Sequence, residues 1–203
     1  MNIDSAATDC YKSISSLSKG LYKDKGSKFI SFAYPVEDED TAKSIIDSIK
    51  KEYFDARHHC WAYRIGRLGE KWRANDDGEP SSTAGRPILG QILSNGLSDI
   101  LIVVVRYFGG TLLGTSGLIQ AYREASADAI ANAEIIEKIA CSRYLVTFDF
   151  LQMNAVMKVL KDMKLTPADQ QFDNRCTMTV DVRLDRELQF NETMNKIAIC
   201  QKV

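Results

Sequence analysis

Residues 100–118 read ILIVVVRYFGGTLLGTSGL: an apolar run, then four glycines and three hydroxyl side chains, then the start of an alanine-rich segment. The run from about 99 to 107, with three consecutive valines, fits a strand buried on both faces. Residues 117 to about 133 read as a following helix. Strand, glycine loop and helix together form the layout of a phosphate-gripping loop, GxxxxGK[ST]. Gly109, Gly114 and Ser116 match its spacing, but Thr115 stands where the lysine belongs. Without that point charge on the β- and γ-phosphates, nucleotide hydrolysis is not expected. A weaker anion receptor remains. Gly109, Gly110, Gly114 and Gly117 free main-chain amides, the helix start adds partial positive charge, and Thr111, Thr115 and Ser116 offer hydroxyls. Arg106 and Arg123 would supply charge beside it. The alternative is that the glycines merely permit a tight crossover from strand to helix.

The rest of the chain bounds these readings. It has 203 residues, 45% hydrophobic and 26% charged, with a formal net charge of -1. No global field draws such a chain to polyanions, so any such binding must come from a local patch. No apolar run approaches the roughly 20 residues that cross a bilayer. The opening MNIDSAATDC lacks the layout of a secretion signal, so the cytoplasm is the expected location. Five scattered cysteines without a CxxC pair point to reduced thiols packed as small hydrophobes.

Strands are expected at 16–22 and 28–35 around the polar turn KDKGS. A helix follows on Ala42, Ile45, Ile46 and Ile49, with acids before it and Lys50 and Lys51 at its end. A strand at 57–66 pairs through GRLGEK with a short one at 71–74. The apolar segment 88–93 ends at Asn95-Gly96, a helix stop. Near residue 139 the texture changes. Tyr144, Val146, Phe148 and Phe150 alternate, as do Cys176, Met178, Val180, Val182 and Leu184, with a helical stripe at Met153, Val156, Met157 and Leu160 between them. A last helix is expected over 186–200. Strand, helix, one or two strands and helix suggest a ferredoxin-like α+β module. The expected domains are therefore 1–139 and 140–203. Basic and acidic residues number 17 and 19 before the boundary and 9 and 8 after it, so neither half is basic in bulk.

Three further groups could carry chemistry. Asp76, Asp77 and Glu79 lie within four residues; clustered acids hold divalent metals or transfer protons, and they also cap turns and helices. With no spaced fourth ligand, structure or partner recognition is preferred and no metal or cofactor is assigned. His58 and His59 are adjacent on a strand and so face opposite ways. His58 shares a face with Cys60, but no third group orients a thiol nucleophile. Arg57, Arg64, Arg67, Lys71 and Arg73 interleave with Trp61, Tyr63 and Trp72, a pattern that suits single strands or RNA. The alternative is a solvated hairpin with a half-buried tryptophan. Arg86, Arg106 and Arg123 join this patch only if the fold brings them there.

The stretches HHCWAYRIG, RANDDGEPSSTAGRPIL and VVVRYFGGTLLGTSGLIQAYREA, in this order, resemble the signature of the YigZ/IMPACT family over about residues 16–133. The residues from 140 resemble the small second domain of its bacterial members. The matching positions are His58, Trp61, Asp76, Asp77, Gly78, Glu79, Pro80, Thr83, Ala84, Gly85, Arg106, Phe108, Gly109, Gly110, Gly114, Gly117 and Leu118. The resemblance implies an α+β protein of two domains. The first would be like domain two of ribosomal protein S-five, the second ferredoxin-like as in domain five of elongation factor G. It also implies a role in translation: eukaryotic members are linked to its control through a ribosome-associated activator of a starvation-responsive kinase. Ser82 and Ser116 stand where the family usually has glycine, which matters if either position needs a positive φ. The expected function is non-catalytic binding of RNA, the ribosome or a translation-associated protein. The alternatives are a metal-assisted hydrolase of a phosphorylated small molecule between the DDGEP and glycine loops, and a pure protein-interaction module.

Overall fold

The computed structural model describes residues 9–173 and 175–203; most of the opening stretch, MNIDSAAT, lies outside them. The chain divides into two compact units: residues 11–138, and residues 139–203 with Asp9 and Cys10. Along the chain, β1 (Cys10–Ile14) precedes the hairpin of β2 (Ser18–Asp24) and β3 (Ser27–Pro35). Helix α1 (Glu39–Glu52) begins where Asp38 accepts the Thr41 amide at 2.7 Å. Acids in its first turn and Lys50 and Lys51 in its last complement the helix dipole. Then come β4 (His58–Ile65), β5 (Lys71–Asn75), α2 (Gly85–Ser94), β6 (Ile100–Tyr107), α3 (Gly114–Ala131) and β7 (Ile135–Ile139).

Five strands form one sheet in the order β2-β3-β6-β4-β5, each pair antiparallel. The valine-rich β6 is its centre, and Ile100 to Val105 are fully buried. Alternation divides their side chains. Ile100, Ile102 and Val104 join the core under α2 and α3, whereas Leu101, Val103 and Val105 join Ala42, Ile46 and Ile49 of α1. By the same alternation Arg106 falls on the α3 face. It is paired with Phe29 of β3 on one side and His58 of β4 on the other. Ala121, Ala125 and Ala129, four apart, let α3 lie close to that face.

The second unit runs β8 (Cys141–Phe148), α4 (Met153–Asp162), β9 (Pro167–Phe172), β10 (Cys176–Arg183), α5 (Glu187–Met194) and β11 (Ile199–Lys202). Its sheet order, β11-β8-β10-β9, with antiparallel neighbours, is ferredoxin-like. Tyr144, Val146, Phe148, Met178, Val180 and Val182 pack inward on Val156, Leu160 and Phe190.

The α+β class expected from the sequence is the one observed, with four differences in detail. Helix α3 starts at Gly114 rather than 117, so half of the glycine loop is its first turn. The helix expected over 186–200 stops at Met194, and Ile199–Lys202 form an edge strand instead. β1 and β7 pair as a separate two-stranded sheet that the sequence did not suggest. The first hairpin strand begins at Ser18 rather than 16. Among the described residues, no helix is long and apolar enough to cross a membrane.

Candidate functional site

A cleft of about 400 Å³ opens in the first unit where the ends of β4 and β6 meet the start of α3. Its polar lining is Arg57, His58, Glu79, Arg106 and Thr115; its apolar lining includes Pro80, Phe108, Leu112, Leu113 and Leu118. Strand register explains the polar part, since His58 and Arg106 are direct partners across β4 and β6.

Arg106 is 5% exposed and donates from Nη1 to Glu79 Oε1 at 2.6 Å. The same carboxylate oxygen accepts the Tyr122 hydroxyl at 2.8 Å, and His58 Nε2 stands 3.9 Å away. The Arg106 guanidinium lies over the rings of Phe29 and Phe108, 5.5 and 5.7 Å from their centroids. Among the described residues its Nε is buried without a partner. Arg106, expected to supply charge beside the glycine loop, is half of a buried ion pair with one donor left over. His58 Nδ1 lies 2.8 Å from the Asp77 carbonyl. A carbonyl only accepts, so Nδ1 carries the proton and Nε2 faces Glu79.

The glycine loop divides between two roles. Gly109 is a close approach: a Cβ there would sit 1.9 Å from the Gly26 carbonyl carbon, and its amide donates to Ser27 Oγ. This is the crossover role. Gly114 instead turns the chain at φ +72 into α3, whose start has no side-chain cap. Gly110, Thr111, Gly114, Thr115 and Ser116 are exposed. Of the expected anion-binding residues, Arg106, Gly114 and Thr115 line the cleft. Arg123 is exposed on α3 and is not among the lining residues.

The three acids point three ways. Asp76 accepts the amides of Ala84 and Gly85 on one oxygen and of Ser82 on the other, tying the loop to the start of α2. Asp77 accepts Lys50 Nζ at 2.9 Å and the His59 amide at 2.7 Å, and lines a separate depression beside α1. Burial alone would raise its pKa, but these two donors outweigh it and hold the carboxyl below its usual value. Glu79 alone reaches the cleft. Among the described residues no three His, Cys, Asp or Glu side chains converge as metal ligands.

The other family positions make contacts within the fold. The Thr83 hydroxyl donates to the Pro80 carbonyl at 2.6 Å, and Gly85 leaves no room for a Cβ against the Asn75 backbone. Gly78, at φ +88, completes the turn beside His58. Trp61 stacks on Tyr63, 5.7 Å between centroids. Cys60 is fully buried beside Tyr122, and burial pushes its thiol pKa far up, which is the opposite of what a nucleophile needs. Cys60, Cys141, Cys176 and Cys200 carry free thiols. Ser82 adopts φ +64, whereas Ser116 sits in ordinary helical backbone. Sequence reasoning missed the apolar wall of Leu112 and Leu113, and the Tyr122 hydroxyl. The four-residue step from Leu118 to Tyr122 was the available signal for the latter.

The Impact N-terminal domain family matches residues 25–130. IMPACT family member YigZ of Escherichia coli (strain K12) is 35% identical over 151 residues, which cover 72% of this chain and 74% of that protein. IMPACT family member YvyE of Bacillus subtilis (strain 168) is 31% identical over 171 residues, covering 84% and 79%. A crystal structure described as that of a hypothetical protein is similar with a TM-score of 0.71 at 25% identity, over 96% of this chain and 97% of the other.

Proposed function

This chain belongs to the IMPACT family, and from that premise we propose that it is a binding protein of the translation apparatus that works without catalysis. Its cleft receives a phosphate of RNA, free or in the ribosome. The observation that carries this reading is the join of an uncapped helix start with a buried arginine whose Nε has no partner. Helix-start amides favour an anion, and the leftover Nε–H of Arg106, whose charge Glu79 already balances, adds a buried donor. Arg57 at the mouth adds an exposed cation, while Phe108, 49% exposed, and Leu112, 82% exposed, give a base or sugar an apolar wall. The family resemblance supplies the translational setting.

The hydrolase reading is not favoured. It placed the site between the DDGEP and glycine loops; of those acids only Glu79 reaches the cleft, already paired with Arg106, while Asp77 pairs with Lys50 at another depression. Nor does the open sheet face of the second unit help, because Arg143, on it, is already paired to Asp181 at 2.7 Å.

The test is ribosome pelleting and filter binding of RNA across a salt series, with Thr115→Glu as the variant. Thr115 is exposed, so the substitution leaves the core intact and puts a negative charge at the helix start. Binding should fall with salt, and the variant should bind about tenfold more weakly, or about 1.4 kcal/mol. Salt-independent binding, or a variant equal to the parent, overturns the reading.

A further inference from the structure

A second depression of about 500 Å³ lies in the same unit, between the edge strand β5 and the outer face of α2. We infer that it is a stacking site for one unpaired base of a single-stranded nucleic acid, with Trp72 as the platform and Arg86 as the phosphate contact. Trp72 is 61% exposed and makes no ring contact among the described residues. That is an unusual place for the largest apolar side chain on a strand that already borders solvent. The other tryptophan shows the ordinary arrangement: Trp61 is half-buried and lies flat on Tyr63.

Charge decides the class of ligand. Arg86 and Arg73 line the depression, and Arg86 has no ion pair among the described residues. Asp76 is the acid in the lining, and its two oxygens already accept three backbone amides. Two of those amides, of Ala84 and Gly85, belong to the start of α2. Arg73 follows Trp72 on the strand, so its side chain starts on the other face, beside Tyr63; the Arg86 guanidinium, not the helix end, therefore supplies the positive field. Leu89 and the half-exposed Leu93 form an apolar floor on which a flat ring can rest. An exposed aromatic beside an arginine without an ion pair is how single strands are held without sequence readout, by stacking with backbone contacts. This site shares no lining residue with the cleft at α3 and stands apart from it.

The probe is a short unstructured oligoadenylate, titrated into a Trp61→Phe protein so that fluorescence reports Trp72 alone. Quenching should saturate. In anisotropy with a labelled oligomer, Trp72→Ala should weaken binding about tenfold, and Arg86→Ala should lower the salt slope by about 0.7. Thermal midpoints of both variants should match the parent, since both side chains are exposed. Thr115→Glu should leave the quenching intact, which separates this site from the cleft. Three results would overturn the inference: no quenching, Trp72→Ala binding at parental affinity, or quenching by oligoglutamate but not by RNA. The last would assign the surface to an acidic peptide.

Discussion

Between β5 and α2 the chain carries three acids in four residues, and every one is tied inward: Asp76 to three amides, Asp77 to Lys50 and His59, Glu79 to Arg106 and Tyr122. Between β6 and α3 it carries exposed glycine and threonine, and the helix that follows begins without a cap. The polar-rich loop is frame, and the glycine-rich loop is opening. Density of chemical groups in a motif therefore does not mark the receptor. Buried polar groups must find partners, and a loop that supplies all of them has few left for a ligand.

The contrast breaks most readily at Glu79. Glu79→Ala strands the Arg106 guanidinium in a 5% exposed position and removes the acceptor of the Tyr122 hydroxyl. Removing one partner of a buried pair costs about 3–5 kcal/mol. Urea unfolding should show the first unit melting early while the second keeps its midpoint. A loss under about 1 kcal/mol would mean that the acidic loop is not frame.

What could be read from the sequence follows the same division. Strands and helices with a clean period were legible: β6 from its valines, α1 from Ala42, Ile46 and Ile49, β8 and β10 from strict alternation. β1 and β7 were not, because CYKSI and IIEKI are short and pair across more than a hundred residues. β11 was absorbed into a helix since ICQK has no period of its own. At the site, the glycines and Arg106 stood out, but the partner of Arg106 did not. Glu79 lies 27 residues earlier, and nothing local says that a loop after β5 crosses to the end of β6. Alternation did tell that His58 and His59 part to opposite faces, and it equally places Arg106 toward Tyr122 once β6 is fixed.

A smaller effect tests Asp77 as frame. Its carboxyl is held below the usual value in the folded chain, so the Lys50 contact contributes fully above the unfolded pKa of about 4. As pH falls through the folded value, the carboxylate protonates and that contribution is lost. A partly exposed pair of this kind is worth about 1 kcal/mol. Stability measured from pH 6 to pH 3 should decline less in Lys50→Met than in the parent. Parallel curves would show that Asp77 rests on the His59 amide alone.

The smallest effect concerns Ser82, one of the two serines where the resemblance leads one to expect glycine. Its φ of +64 is left-handed, and its amide is committed to Asp76 at 2.9 Å, so the strain cannot relax without giving up a loop contact. A non-glycine residue in this region costs about 1–2 kcal/mol. Ser82→Gly removes that cost, but glycine loses about 0.5–1 kcal/mol more backbone entropy on folding. The difference is a stabilisation of roughly 0.5 kcal/mol, read as a small rise in the first unit's midpoint. Ser116→Gly should do the reverse, because Ser116 sits in helical backbone where glycine is disfavoured by a few tenths of a kcal/mol. Equal responses at the two serines would mean that backbone conformation does not set the difference between the frame loop and the open one.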